Sequence, residues 1–328
     1  MKAAIATKYG PPEVLKIQER EKPTPKSNEI LVKVYAGTVT AGDCRMRAFN
    51  VPKLFWLPGR LALGITKPRM EIVGMELSGV VEAIGKDVTR FKVGDAICGS
   101  TTKAGMGGNA EYKCLPEHQA IAKKAENVSF AEAATLPIGG ITALWFLRKA
   151  KVDKAPANGA LQHNVLIYGA SGSVGTFAVQ LAKYFGAHVT AVCSTPNVNL
   201  VKQLGADKVI DYKQQDFTQN GKVYDVIFET VSKIPFSKCK NSIQKGGYFL
   251  DTVGMTPGLT GLGSGRKVIG GGAPESAEDL MYLMNLMAEG KLKSVIDKTY
   301  PLSEVAAAHR YVDGGRKRGN VIIEVANN

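Results

Sequence analysis

At 328 residues the chain exceeds the length at which a single hydrophobic core stops growing, so two domains are expected. Its 45% hydrophobic and 22% charged residues exclude a disordered chain, and 42 Lys+Arg against 29 Asp+Glu leave a net charge of +13. That excess favours an anionic partner, whether cofactor, nucleic acid or acidic membrane surface, without choosing among them.

The first 120 residues or so read as short strands with Gly and Pro punctuation, at 1–7, 29–36, 74–84, 95–98 and 110–114. This part is expected to be β-rich. At Ser129 helical spacing begins in SFAEAATLPIGGITALWFLRKA, interrupted at Pro137 and at Gly139-Gly140. A regular alternation follows. NVLIYGA (164–170) is a continuous apolar strand, after which Val174, Ala178, Leu181, Ala182 and Phe185 share one helical face that Gly186 can end. HVTAVCS, KVIDY, YDVIFETV, GGYFLDTVG and RKVIGGG are further strands, with NVNLVKQLG as a helix between the first two. Strands alternating with helices predict a doubly wound parallel sheet with right-handed crossovers, an α/β fold. In the tail, VIDKTYPL and NVIIEV are strands flanking the helix SEVAAAHRYVDGG and are expected to return to the first domain. The expected division is therefore 1–126 with 298–328, and 127–297.

The five cysteines, Cys44, Cys98, Cys114, Cys193 and Cys239, contain no CxxC pair, so neither a disulfide framework nor a zinc knuckle is expected, and a cytoplasmic location fits best. No apolar run approaches the ~20 residues that cross a bilayer, and MKAAIATKYGPPEV lacks the apolar core of a secretory signal.

The sharpest motif is Gly169-Ala170-Ser171-Gly172-Ser173-Val174-Gly175, set between a buried strand and an amphipathic helix. In a GxGxxG turn the first glycine allows the tight bend, the second lets backbone approach a pyrophosphate, and the third allows close helix packing. Ala170 stands at the first of these positions, Gly172 and Gly175 at the other two. Amides and dipole at the helix start then form an anion site. An ordinary glycine-rich βα turn is the bland alternative. The second strand ends in Cys193-Ser194-Thr195-Pro196-Asn197, without the carboxylate that usually holds the ribose 2′-OH of NAD. Ser194 and Thr195 hydroxyls can bond a 2′-phosphate, so NADPH is favoured, with NADH possible; the same residues could instead cap the next helix.

These stretches resemble the medium-chain dehydrogenase/reductase superfamily and, within it, the zinc-independent quinone oxidoreductase branch, including chloroplast-envelope quinone oxidoreductase-like proteins. The resemblance rests on Gly74-Met75-Glu76-Leu77-Ser78-Gly79 through Gly85, Phe91 to Asp95, Gly107 to Tyr112, Glu132 to Pro137, the turn at Gly169 to Gly175, Leu204 to Asp207, and Gly290 to Asp297. It implies a GroES-like β-rich domain on the substrate side, a Rossmann domain for the nucleotide, an active site in the cleft between them, and a homodimer. The zinc enzymes of the superfamily carry a cysteine ligand where Thr40 stands and Gly-His-Glu where Gly74-Met75-Glu76 stands, so the resemblance implies no zinc. His118, His163, His188 and His309 show no ligand spacing.

By the same resemblance the segment Thr40 to Arg45 lies beside the nicotinamide; Arg45 is then the candidate for steadying charge on the substrate oxygen, a plain surface cation being the alternative, and Asp43 and Glu76 are read as bracing the cleft through hydrogen bonds. Thr142, Thr230 and Val253 are implied near the nicotinamide and its ribose, and Tyr212 near the adenosine 2′-phosphate. Lys213, Arg316 or Lys317 could supply a cation for that phosphate. The apolar loop 49–58, with Phe55 and Trp56, and the residue Asn109 are candidates for a hydrophobic substrate pocket; peripheral membrane contact and plain packing are the other readings of the loop. The expected activity is NADPH-dependent, zinc-free reduction of a small hydrophobic quinone or enone. Rival readings are a zinc-free NADP alcohol dehydrogenase and a non-enzymatic nucleotide sensor that binds RNA or a membrane surface. RNA is disfavoured because no basic motif is interleaved with aromatics.

Overall fold

The computed structural model describes residues 1–51, 56–156, 159–252 and 261–326. The chain divides into two compact units: Met1–Ile138 with Glu275–Gly290 and Val295–Asn328, and Gly139–Pro274 with Lys291–Ser294.

In the first unit β1 (Lys2–Ala6) and β2 (Leu15–Glu19) form an antiparallel pair. The larger sheet is built on β3 (Glu29–Thr38), which pairs antiparallel with β4 (Glu76–Ile84), and β4 with β5 (Ala96–Ser100). β6 (Tyr112–Pro116) also pairs with β3, and β7 (Ile121–Lys123) closes the edge on β5. Ile30, Val32 and Val34 alternate along β3 and bury the same face as Leu77, Val81, Ile97 and Leu115, the period of two that a sheet with one core face requires. The tail adds β14 (Ile296–Pro301) and β15 (Asn320–Glu324), and β15 pairs with β3 with Ile322 opposite Thr38.

The second unit is a six-stranded, wholly parallel sheet in the order β10-β9-β8-β11-β12-β13. Its strands are β8 (Asn164–Tyr168), β9 (His188–Cys193), β10 (Lys208–Asp211), β11 (Tyr224–Glu229), β12 (Ile243–Asp251) and β13 (Lys267–Gly270). β8 lies between β9 and β11, so the strand order reverses at its C-terminal end, the position at which such sheets bind ligands. Leu166, Val192, Ile210 and Ile227 line one buried face. The helix Ser173–Tyr184 follows β8 and ends before Gly186, whose φ of +81° suits a left-handed stop.

Four differences from the sequence reading have local causes. The β-rich first part contains a helix, Ala41–Ala48, nucleated by a reciprocal Thr40–Asp43 cap that loop-like composition obscured. A second helix, Trp56–Leu63, buries none of its residues and so lacks a one-sided apolar pattern. The helix Ala277–Ala288, with Leu280, Leu283, Met284 and Met287 buried, belongs with the first unit, where it packs on β7. Finally, Phe130–Lys149 is a helical stretch of 20 residues, long and apolar enough to cross a membrane, but 67% of that window is buried in the protein, as in a core helix.

Candidate active site

The turn after β8 is built around Gly169. Its φ of +80° is left-handed, and an added Cβ would fall 2.7 Å from Thr230 Oγ1 and 2.7 Å from Val231 Cγ1, so bend and space both demand glycine. The sequence reading set Ala170 at the position of the bend; the bend is one residue earlier, and Ala170 is fully buried under it. Gly175 lets the helix close on the turn, because a Cβ there would lie 2.2 Å from the Gly169 carbonyl oxygen. Gly172 is different. A Cβ on it would meet only that carbonyl, at an ordinary 3.4 Å, and no side chain caps the helix that starts beside it. The fold does not require a bare Cα there, whereas a diphosphate approaching the amides of Ser173–Tyr184 does.

Gly139, whose Cβ would come 2.7 Å from Ser173 Oγ, brings the start of the helix Ile141–Lys149 against this turn and leaves Thr142 in its first turn, half-buried, as are Ser171, Ser173 and Val174 of the turn itself. Thr230, expected near the nicotinamide and its ribose, has a structural task in the turn. Its hydroxyl donates to the carbonyls of Tyr168 at 2.9 Å and Gly169 at 3.2 Å, tying the end of β11 to the turn. Val253 and Phe55 lie outside the described residues.

At the end of β9, Asn197 gathers two hydroxyls, donating from Nδ2 to Ser171 Oγ at 3.0 Å and to Ser194 Oγ at 3.2 Å. Neither Ser194 nor Asn197 caps the following helix through its side chain, which removes the capping alternative for Ser194. Thr195 donates instead to Asp211 Oδ2 at 2.6 Å. This corrects the expectation that no carboxylate stands here: the one missing from β9 is supplied by β10, where Asp211 lies opposite Cys193. Hydrogen bonds from Thr195 and the Lys213 amide hold that carboxyl below its usual range. Tyr212 is half-exposed beside it, its amide bonded to Cys193 O and its ring 6.2 Å from that of Tyr168. Thr195, Val198, Asp211, Gln214 and Gln215 line an open depression. Asn197 and Asp211 went unnoticed in the sequence; laying KVIDY parallel to HVTAVCS would have exposed Asp211.

In the first unit Thr40 accepts the Asp43 amide at 3.1 Å, while Asp43 Oδ2 accepts the Thr40 amide at 2.8 Å and hydroxyl at 2.6 Å. Asp43 is buried beside a small cavity walled by Tyr9, Met46, Leu63, Met70, Val73 and Met106, and burial raises its pKa to about 6 against the pull of the Thr40 bonds. Arg45 is half-buried on the same helix, and among the described residues nothing pairs with its guanidinium. The buried cation is Arg47, bonded to Asp313 at 2.7 Å and to Gly10 O at 3.1 Å.

Glu76 is buried and braces this unit: Oε1 accepts Thr38 Oγ1 at 2.6 Å and Oε2 accepts the Ile138 amide at 2.7 Å. Desolvation raises its pKa to about 8. Asn109 is fully buried and wedged between Gly37 and Gly74, so it is a strut rather than the wall of a substrate pocket. Lys317 is no solvated tail cation; its amine bonds the Gly319 carbonyl, and burial lowers its pKa to about 8. Trp56 is 49% exposed and forms, with Tyr9 and Phe49, an aromatic cluster around the Arg60 guanidinium at 4.2–5.2 Å. His309 is a packing residue, its pKa lowered to about 3 by burial.

The zinc position of related enzymes does not fit the metal in this chain. The Thr40 hydroxyl and the Met75 thioether face each other at 3.5 Å, and the Glu76 oxygens are taken by Thr38 and Ile138, a set without the imidazole or thiolate that zinc selects. Among the described residues no group of three or more His, Cys, Asp and Glu could hold a metal ion. The glycine turn, by contrast, fits a dinucleotide.

A switch-point turn of this kind on a parallel sheet, with a separate β-rich unit, defines a dinucleotide-dependent dehydrogenase architecture. The alcohol dehydrogenase GroES-like domain model matches residues 26–125, and the zinc-binding dehydrogenase model matches 204–323, a span that includes neither Thr40 nor Met75. The chloroplast envelope quinone oxidoreductase homolog of Arabidopsis thaliana is 34% identical over 315 residues, covering 92% of this chain and 91% of that protein. The NADPH-dependent alkenal/one oxidoreductase of the same plant is 28% identical, over 98% of this chain and 79% of its own. The structure of the quinone oxidoreductase from Coxiella burnetii superposes with a TM-score of 0.88 at 29% identity, over 99% of both chains. The chain belongs to the quinone oxidoreductase branch of the medium-chain dehydrogenase/reductase superfamily, with a Rossmann unit and a GroES-like unit.

Proposed function

We propose that this protein reduces a quinone or an α,β-unsaturated carbonyl with NADPH and without zinc. The observation that carries the reading is Gly172, a bare Cα that the fold itself does not need, at an uncapped helix start on the switch point of a parallel sheet. Gly172 and the first turn of Ser173–Tyr184 would hold the diphosphate, Ser171 and Ser194 the adenosine ribose with its phosphate, and Thr142 the nicotinamide end. Bound coenzyme supplies a hydride. Reduction of a conjugated acceptor then needs positioning and modest polarisation of its oxygen, for which the guanidinium of Arg45, unpaired among the described residues, is suited, while Thr40, whose one hydroxyl proton goes to Asp43, holds the start of that helix. The acceptor would gain hydride from the coenzyme and a proton from solvent, a guanidinium being a poor proton donor. The names of the plant relatives support this substrate class, and the donor chemistry of Thr40, Met75 and Glu76 supports zinc independence.

The test is a stopped-flow screen of NADPH oxidation against quinones and enals, with NADH in parallel and with NADP plus alcohols in the reverse direction. Turnover of a quinone or enal is expected. Alcohol oxidation with no enal turnover would replace this reading by a zinc-free alcohol dehydrogenase, and oxidation of NADH as fast as NADPH would remove the coenzyme preference.

A further inference from the structure

We propose that Asp211 sets how far this protein discriminates between NADPH and NADH, acting against the 2′-phosphate; the inference rests on the coenzyme reading above. β10 runs parallel to β9 with Asp211 opposite Cys193, so its carboxylate lies level with Ser194 and Thr195. In a dinucleotide fold the adenosine ribose meets the end of this second strand. The Tyr212 amide bonds Cys193 O at 3.1 Å and locks that register at the site.

Thr195 has a single hydroxyl proton and donates it to Asp211 Oδ2 at 2.6 Å, while the Lys213 amide donates to Oδ1 at 3.0 Å. Thr195 therefore presents lone pairs outward, which receive a ribose 2′-OH but repel a phosphate. Ser171 and Ser194 differ, since each accepts from Asn197 and keeps its proton to give. The ledge thus carries two donors suited to phosphate and, beside them, one fixed anion with its hydroxyl turned inward. Asp211 stays ionised at neutral pH because its two donors stabilise the charged form. The Lys213 side chain, two residues on, brings the opposing charge.

The experiment measures kcat/KM for NADPH and NADH with the full-length protein and its Asp211→Asn and Lys213→Gln variants. Asp211→Asn removes the charge and keeps one of the two acceptor oxygens, enough for either Thr195 or the Lys213 amide. The NADPH-to-NADH ratio is expected to rise about fivefold in Asp211→Asn and to fall in Lys213→Gln, the scale of one exposed charge interaction. The change is expected in KM rather than kcat, and the gap between variant and wild type should narrow as salt is raised. Adenosine 2′,5′-bisphosphate, competing against coenzyme, should bind the Asp211→Asn variant more tightly, and 5′-AMP should not. A ratio unmoved in Asp211→Asn, in a protein that oxidises either coenzyme, overturns this inference and leaves the coenzyme reading standing. A wild-type protein that binds neither coenzyme overturns that reading, and this inference with it.

Discussion

Thr40 and Asp43 hold each other by three hydrogen bonds, of which the shortest joins Thr40 Oγ1 to Asp43 Oδ2 at 2.6 Å. The pair starts the helix Ala41–Ala48 and turns a carboxyl into a buried cavity wall. Replacing Thr40 by Ala removes the cap and should cost about 1 kcal/mol of stability, read as a lowered thermal midpoint. Thr40→Ser keeps the hydroxyl and should restore most of it. Because the Thr40 hydroxyl proton is committed to Asp43, kcat in Thr40→Ala is expected to fall no further than partial unfolding explains.

Three glycines of one turn should separate fold from binding. Gly172→Ala is expected to keep the thermal midpoint while weakening coenzyme binding, because its Cβ meets protein only at an ordinary distance, and Gly172→Val should weaken binding further. Gly175→Ala should unfold more easily, since its Cβ would lie 2.2 Å from a backbone oxygen that cannot move aside. Fluorescence titration with NADPH beside thermal melts distinguishes the two, and a Gly172→Val variant that binds coenzyme normally would refute the phosphate assignment.

Asn197 makes no contact with coenzyme in this scheme, yet it sets the positions of Ser171 and Ser194. Asn197→Ala frees both hydroxyls, so KM for coenzyme should rise several-fold with kcat little changed. A fall confined to kcat would speak for a different role.

Glu76 makes stability depend on pH in a definite direction. Its pKa in the folded protein, about 8, is above the ordinary 4.5, so the folded state binds more protons than the unfolded state between those values. Its contribution is therefore fully present below the unfolded pKa and is lost as pH rises through about 8. Glu76→Gln can donate to Thr38 and accept from Ile138 without charge, so it should become the more stable protein by several degrees as pH goes from 6 to 9. Parallel melting curves for the two proteins would contradict burial of an ionisable carboxyl.

Activity should survive prolonged dialysis against a strong chelator, with elemental analysis showing less than stoichiometric zinc. Loss of turnover restored by added zinc would overturn the zinc-free reading.

What was legible from sequence alone was whatever depends on neighbours in the chain. The continuous apolar strand NVLIYGA, the apolar face through Val174, Ala178 and Leu181, and the glycines between them announce a parallel sheet with a phosphate turn, because periodicity and φ preferences are local properties. That Thr40 and Met75 offer neither imidazole nor thiolate was equally readable, since ligand chemistry is a property of residue type. The tertiary structure decided which hydroxyls and charges meet. Thr230 ties the end of its strand to the turn, Asn109 is a strut, Lys317 is drawn inward, and Asp211 arrives beside Thr195 from another strand. Each of these depends on register and burial, and two residues 16 positions apart share a hydrogen bond only because parallel strands align their ends.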